Sequence, residues 1–172
     1  MKRGPRCYIG LGSNLDQPSE RIHEAAGLIA RIEGVSELRL SPLYRSPPWG
    51  NTNQPDFVNA VAECRLQFDP RTLLRELLTV EQGMGRVRGG ERWGPRRIDL
   101  DLLHVDGIRL SVAAADLPAP ELPALELPHP RIADRAFVLR PWLDLVDDLE
   151  LPGIGSLRRL ASQMDCSSLS PL

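Results

Sequence analysis

Three things are scarce in this chain, and each scarcity removes a class of explanation. Lysine is nearly missing: Lys2 is the only one among 21 basic residues. That bias reflects genome base composition as readily as chemistry, and it carries no functional weight alone. Cysteine occurs three times, as Cys7, Cys64 and Cys166. An odd number with no C-x-x-C pair excludes a disulfide framework and a cysteine-ligated zinc site, and it suits a reducing cytoplasm. Cys7 and Cys64 sit in apolar runs and read as small core residues. Long apolar runs are missing as well. The basic start, Met1 to Arg6, passes after a few apolar residues into Gly12-Ser13-Asn14, which leaves neither a signal peptide nor a membrane span.

What remains is an ordinary globular composition. The 172 residues are 42% hydrophobic and 26% charged, enough for one sizeable core in a single domain covering 1–172. The net charge of −2 argues against bulk attraction to nucleic acid. Aromatics make up only 5% of the chain, and they form no paired signature of RNA recognition.

The densest chemistry lies in Arg92-Trp93-Gly94-Pro95-Arg96-Arg97-Ile98-Asp99-Leu100-Asp101-Leu102-Leu103. Ile98 to Val105 reads as a short buried strand, in which residues two apart share a face. Asp99 and Asp101 then converge. Two carboxylates this close repel unless a cation separates them, and hard oxygen ligands suit Mg²⁺ bridging substrate phosphates. Arg86, Arg88, Arg92, Arg96 and Arg97 lie in or beside a Gly-rich stretch from Gly83 to Pro95, where guanidinium groups can grip phosphate and where order requires a ligand. A surface Arg loop paired with an exposed Asp pair explains the bare pattern equally well.

The element order is informative. Cys7–Leu11 reads as a strand, with Gly12-Ser13-Asn14 turning the chain and capping a helix from Pro18 to Glu33 that Gly34 stops. A second strand spans Val35 to Tyr44, and a shaped loop rich in Pro, Gly and Asn runs to Pro55. Phe57–Leu66 is a third strand, and Asp69-Pro70 opens a helix ending at Gly83. The Asp-pair strand is fourth. The order β-α-β-β-α-β predicts an α+β fold, a ferredoxin-like core with an antiparallel sheet. Asp106-Gly107 signals a hairpin carrying the fourth strand into a partner at Ile108–Leu110. Ser111–Pro130 has too many prolines for regular structure. C-terminal helices follow, at Ala136–Val146, interrupted at Pro141, and at Ser156–Met164. The core ends near 160, and Cys166 to Leu172 reads as a frayed tail.

Several residues break the structural pattern. Leu74, Leu77, Leu78 and Glu81 share a helical stripe, so a carboxylate points inward near a helix C-terminus and needs a cation, which Arg86 or Arg88 can supply. Phe57 and Asn59 share a strand face, an aromatic plane beside an amide, as recognition of a planar heterocycle requires. Trp49 and Trp93 lie in loops. His129 is held between Pro128 and Pro130, although a lone histidine is more often structural.

Tyr8-Ile9-Gly10-Leu11-Gly12-Ser13-Asn14, Tyr44-Arg45-Ser46-Pro47-Pro48, Gln54-Pro55-Asp56-Phe57-Val58-Asn59-Ala60, Arg92 to Leu103 and Pro128-His129-Pro130-Arg131 follow in that order. Together they resemble the 6-hydroxymethyl-7,8-dihydropterin pyrophosphokinases of folate biosynthesis, over about residues 7–160. The resemblance implies transfer of the β,γ-diphosphoryl unit of ATP to the pterin hydroxymethyl oxygen, with release of AMP and use of two Mg²⁺ ions. It implies that Asp99 and Asp101 hold the metals, that Arg86 and Arg96 are catalytic, and that Arg86, Trp93, Arg96, Leu102, His129 and Arg135 meet the nucleotide. It implies a pterin stacked between Phe57 and Phe137, with its edge read by Asn59 and by backbone groups of Ser46, Pro47 and Trp49. It further implies Trp93 on a closing loop, Glu81 supporting the site, and a cytoplasmic monomer acting on small molecules without nucleic acid or membrane partners. The chain departs from the family at Phe57, where relatives often carry tyrosine, in a long Ser111–Leu127 segment, and at Pro130, which removes a side-chain donor. Two rivals share features with it: a nucleotide-sugar transferase, which also uses D-x-D but on a doubly wound sheet, and an RNA-binding sheet, whose phosphates the carboxylates would repel without metal.

Overall fold

The structure, a computed structural model, describes residues 3–86, 94–117 and 122–172. Its centre is an antiparallel sheet. β1 (Arg6–Ser13) pairs with β4 (Phe57–Leu66) on one side and β5 (Asp99–Val105) on the other. Beyond β4 lie β2 (Val35–Leu40) and β3 (Tyr44–Ser46), both paired with it. The second strand expected over Val35 to Tyr44 is therefore two. Pro42 has no N–H for the ladder, and Ser41 bridges the gap: its backbone N–H donates to Val61 O and its Oγ accepts from Val61 N, each at 2.9 Å.

Alternation along the strands builds two cores. Cys7, Ile9, Leu11, Val58, Ala60, Ala62, Cys64 and Leu66 turn toward α1 (Pro18–Ile29) and α2 (Pro70–Gly83). The opposite face carries Tyr8, Val61 and Leu103, covered by α3 (Ala136–Leu143) and α4 (Leu157–Ser162). Helices on both faces make three layers. α2 follows its sequence signals: Asp69 Oδ1 accepts from Arg71 N at 2.8 Å and Pro70 occupies the first turn. α1 does not. It ends at Ile29, short of Glu33, and its cap position is Gln17 in a left-handed conformation without a side-chain cap, because Asn14 is committed elsewhere.

Three further expectations fail for tertiary reasons. Asp106-Gly107 does turn the chain, with Gly107 at φ 75°. However, β6 (Leu110–Val112) pairs with β7 (Leu125–Leu127), not with β5, so part of the Pro-rich excursion is a two-stranded ribbon. α3 runs unbroken through Pro141, which is buried beside Trp142; packing outweighs the one missing donor. The tail is not wholly frayed. After the short β8 (Glu150–Leu151) and β9 (Gly155–Ser156), β10 (Ser170–Pro171) pairs with Tyr44 and Arg45 of β3, and Leu172 N donates to Leu43 O at 3.0 Å.

Candidate active site

The carboxylates stand where the sheet has no side chains to cover them. On β5, Leu100 and Leu102 enter the first core while Asp99 and Asp101 turn to the α3 side. Their partners on β1 are Gly12 and Gly10. Gly12 also faces Asn59 on β4, and a Cβ there would come within 3.2 Å of Asn59 Oδ1. Asn59, Gly12 and Asp99 thus form one row across three strands, open along the middle.

Arginines from three chain segments converge on this row. Arg86 and Arg96 both donate to Asp99, the latter at 2.5 Å, and Arg135 donates to Asp101 at 2.8 Å. Glu81, only 1% exposed, accepts from Arg86 at 2.6 Å and from Leu100 N at 2.7 Å, joining α2 to β5. The carboxylates titrate in opposite directions. Burial pushes Asp99 up, but Arg86 and Arg96 outweigh it and hold the group below its ordinary range. Asp101 is pushed up by burial and by Asp99, and Arg135 offsets this only in part.

Two clefts meet at the carboxylates. The first, under α3, is walled by Ser46, Pro47, Trp49, Phe57, Asn59 and Phe137. Asn59 Nδ2 donates to Ser46 Oγ at 2.8 Å, which leaves its Oδ1 as an acceptor beside Gly12. The second cleft lies between α2 and β7, with Leu74, Arg86, Leu102, Leu125, Glu126 and His129 on its walls. Asp99, Asp101 and Arg96 border both. Backbone N–H of Arg131 donates to His129 Nδ1 at 3.1 Å. Neutral His129 therefore carries its proton on Nε2. Burial, then Arg135 and Arg131, press its pKa down to about 4.

A plane-walled cleft and a cation-lined cleft sharing one pair of carboxylates suit transfer of a phosphoryl unit between two small molecules. Comparison with known proteins bears this out. Residues 8–147 match the family described as 7,8-dihydro-6-hydroxymethylpterin-pyrophosphokinase (HPPK). The chain belongs to this family. The 2-amino-4-hydroxy-6-hydroxymethyldihydropteridine pyrophosphokinase of Pseudomonas aeruginosa is 43% identical over 147 residues, 86% of this chain and 84% of the relative. That of Methylorubrum extorquens is 35% identical over 164 residues, 95% and 96% of the respective chains. Among solved structures, Plasmodium falciparum HPPK-DHPS with pterin and p-hydroxybenzoate matches with a TM-score of 0.69 at 13% identity. The match covers 95% of this chain and 43% of that one, so this chain spans less than half of the longer protein, and the likeness speaks for the fold.

Against this family background, the described residues expected at the site do gather there. Arg86, Arg96, Asp99, Asp101, His129 and Arg135 surround the junction, and Ser46, Pro47, Trp49, Phe57, Asn59 and Phe137 line the first cleft. Leu102 faces the α1–α2 side and reaches only the second cleft. Trp93, with Arg88 and Arg92, lies outside the described residues, as does most of the Gly-rich loop expected to close. The sequence reading missed Gly10 and Gly12, whose alternation within a strand is a visible sign of a face kept clear, and Asn14, assigned to a turn and a helix cap.

The donor set also fits a magnesium ion. Asp99 and Asp101 are hard ligands, partly exposed at the junction, and Asp101 is left only partly neutralised. Among the described residues no group of three or more His, Cys, Asp or Glu could form an all-protein cage. Two carboxylates completed by substrate oxygens and water is the arrangement Mg²⁺ favours.

Proposed function

We propose that the Asp99–Asp101 junction is where the diphosphoryl unit of ATP passes to the hydroxymethyl oxygen of 6-hydroxymethyl-7,8-dihydropterin. The reaction itself follows from family membership: pyrophosphoryl transfer from ATP in folate biosynthesis. The observation that carries the assignment of parts is the shared border of the two clefts at these carboxylates.

The pterin enters the first cleft, its ring between Phe57 and Phe137 and its donor edge toward Asn59 Oδ1. ATP takes the second cleft, with adenine against the apolar wall of Leu74, Leu102 and Leu125. Asp99 and Asp101 would hold two Mg²⁺ ions, whose contribution there would be charge neutralisation on the phosphoryl oxygens. Arg86, Arg96 and Arg135, which neutralise the carboxylates in this structure, turn to phosphate once nucleotide is present. His129 offers a neutral Nε2–H donor. The pterin oxygen forms its bond to the β-phosphorus as the β-phosphorus bond to the AMP oxygen breaks, and the hydroxyl proton passes to water. No protein nucleophile is required. Positioning and charge carry the rate.

The sheet order supports the ferredoxin-like plan: omitting β10 and the split of the second strand, β5-β1-β4-β2 repeats the 4-1-3-2 arrangement of that core. Both clefts are built by one chain, which suits a monomer. Free, mutually facing Cys7 and Cys64 suit a reducing cytoplasm, and among the described residues no helix is long and apolar enough to cross a membrane. The rivals lose their footing. An antiparallel sheet is not the doubly wound frame of a sugar transferase, and α3 and α4 cover the face that an RNA-binding sheet leaves open. Incubation with ATP, Mg²⁺ and the reduced pterin should release AMP in step with pterin diphosphate. Release of ADP instead would overturn the reading.

A further inference from the structure

Two loops that carry opposite halves of the site are joined through one buried side chain. The loop after β3 brings Pro47 and Trp49 to the first cleft and ends at Pro55, just before Phe57. The segment before β5 brings Gly94 and Arg96 to the junction. Asn14, at the end of β1, is 2% exposed and lies between them.

Its bonds sort cleanly by direction. Toward the β5 side, its backbone N–H donates to Arg96 O at 3.0 Å and its Oδ1 accepts from Arg96 N at 2.8 Å. This two-point hold fixes the Arg96 backbone as a strand neighbour would. Toward the β3 side, its Nδ2 donates to Gln54 Oε1 at 2.9 Å and to Pro55 O at 3.0 Å. Ser13 reinforces the first hold, its Oγ donating to Arg97 O at 2.5 Å. A buried amide with both ends engaged gains nothing by rotating, since a flip would set its oxygen against two acceptors and its NH2 against the Arg96 N–H.

We propose that Asn14 is a positioning residue, whose amide couples the placement of the loop ending at Pro55 to the placement of Arg96. Only asparagine meets the requirement at this reach. Aspartate keeps the acceptor for Arg96 N but turns an anionic oxygen toward Gln54 Oε1 and Pro55 O. Alanine keeps neither side-chain bond. The two substitutions therefore separate the halves of the hold. The inference rests on the assignment of the first cleft to the pterin, and the order of measurement keeps the two claims apart.

Titration calorimetry on the full chain uses pterin, then a non-hydrolysable ATP analogue with Mg²⁺, then pterin in the presence of the analogue. If the wild type binds no pterin, the reading of the cleft fails, and this proposal with it. If it does, Asn14→Asp should weaken pterin binding about tenfold or more in the presence of the analogue, while the analogue alone binds within about twofold of wild type. Asn14→Ala should weaken pterin similarly and also lower kcat, because Arg96 N–H loses its acceptor and the two-point hold is reduced to the backbone bond. Gln54→Met, which leaves the Arg96 hold intact, should follow Asn14→Asp in direction and serves if Asn14→Ala does not fold. A lowered Tm with both affinities and kcat unchanged, or an equal loss of both ligands in Asn14→Asp, would make Asn14 a fold residue only and overturn the proposal.

Discussion

Arg135, 34 positions from Asp101 in sequence, donates to it at 2.8 Å and lies with its guanidinium 6.0 Å from the centre of the Phe137 ring. One arginine thus touches the carboxylate junction and a wall of the first cleft. Replacing it with methionine keeps the length and apolar stem but removes the charge that offsets the burial of Asp101 and its repulsion by Asp99. The Asp101 carboxyl should then move further up. The Mg²⁺ dependence of activity should shift to higher pH in Arg135→Met, read as the apparent metal affinity at several pH values between 5 and 8. An unshifted profile would show that Arg135 does not govern the ionisation of Asp101.

Asp99→Asn and Asp101→Asn should each lower kcat by about a hundredfold or more, since each removes a charge that the loaded site depends on. Stability should change little in Asp101→Asn, whose charge is opposed by burial and by Asp99, and fall more in Asp99→Asn, which loses its ion pairs with Arg86 and Arg96. Turnover close to wild type at saturating Mg²⁺ would remove the carboxylates from the metal site.

Asn59→Ala tests the first cleft alone. Its Nδ2 is held by Ser46, so the loss falls on the acceptor facing the ligand and leaves a polar edge unpaired, at roughly 1–3 kcal/mol. Pterin affinity should drop about tenfold or more while ATP with Mg²⁺ binds almost unchanged. Equal losses in separate titrations would assign Asn59 to the fold.

His129 should stay neutral through the working pH range. Its folded pKa of about 4 lies below the ordinary 6.5, so the unfolded chain takes up a proton that the native one refuses. The resulting stability is complete above about pH 6.5 and is lost as pH falls toward 4. Nitrogen-15 imidazole spectra should show the proton on Nε2 at pH 7 and a midpoint well below 6. A midpoint near 6.5 would contradict the burial of the ring.

Much of the site was legible because it sits on regular strands. Period-two alternation places Asp99 with Asp101 and Phe57 with Asn59 from the sequence alone, and helical spacing places Glu81 beside a cation. Asp69-Pro70 located the start of α2 for a similar reason, since a cap and a first-turn proline act within a few residues. The errors fall where the partner is remote. β6 finds β7 in place of β5, the tail finds β3, and α3 keeps Pro141, buried like Val138, Leu139 and Trp142.

By itself, then, the sequence determined which side chains share a face of each element, and its motifs pointed to the family. Those are consequences of backbone periodicity and of local turn chemistry. Only tertiary structure decided that Asp99 and Asp101 stand between two clefts, that the remote Arg135 pairs with Asp101, and that Asn14 belongs to Arg96 and Pro55 and not to a helix cap. Each of these depends on a partner tens of residues away. Its choice is settled by burial, where a polar group must find whichever complementary atom the packed chain brings within about 3 Å.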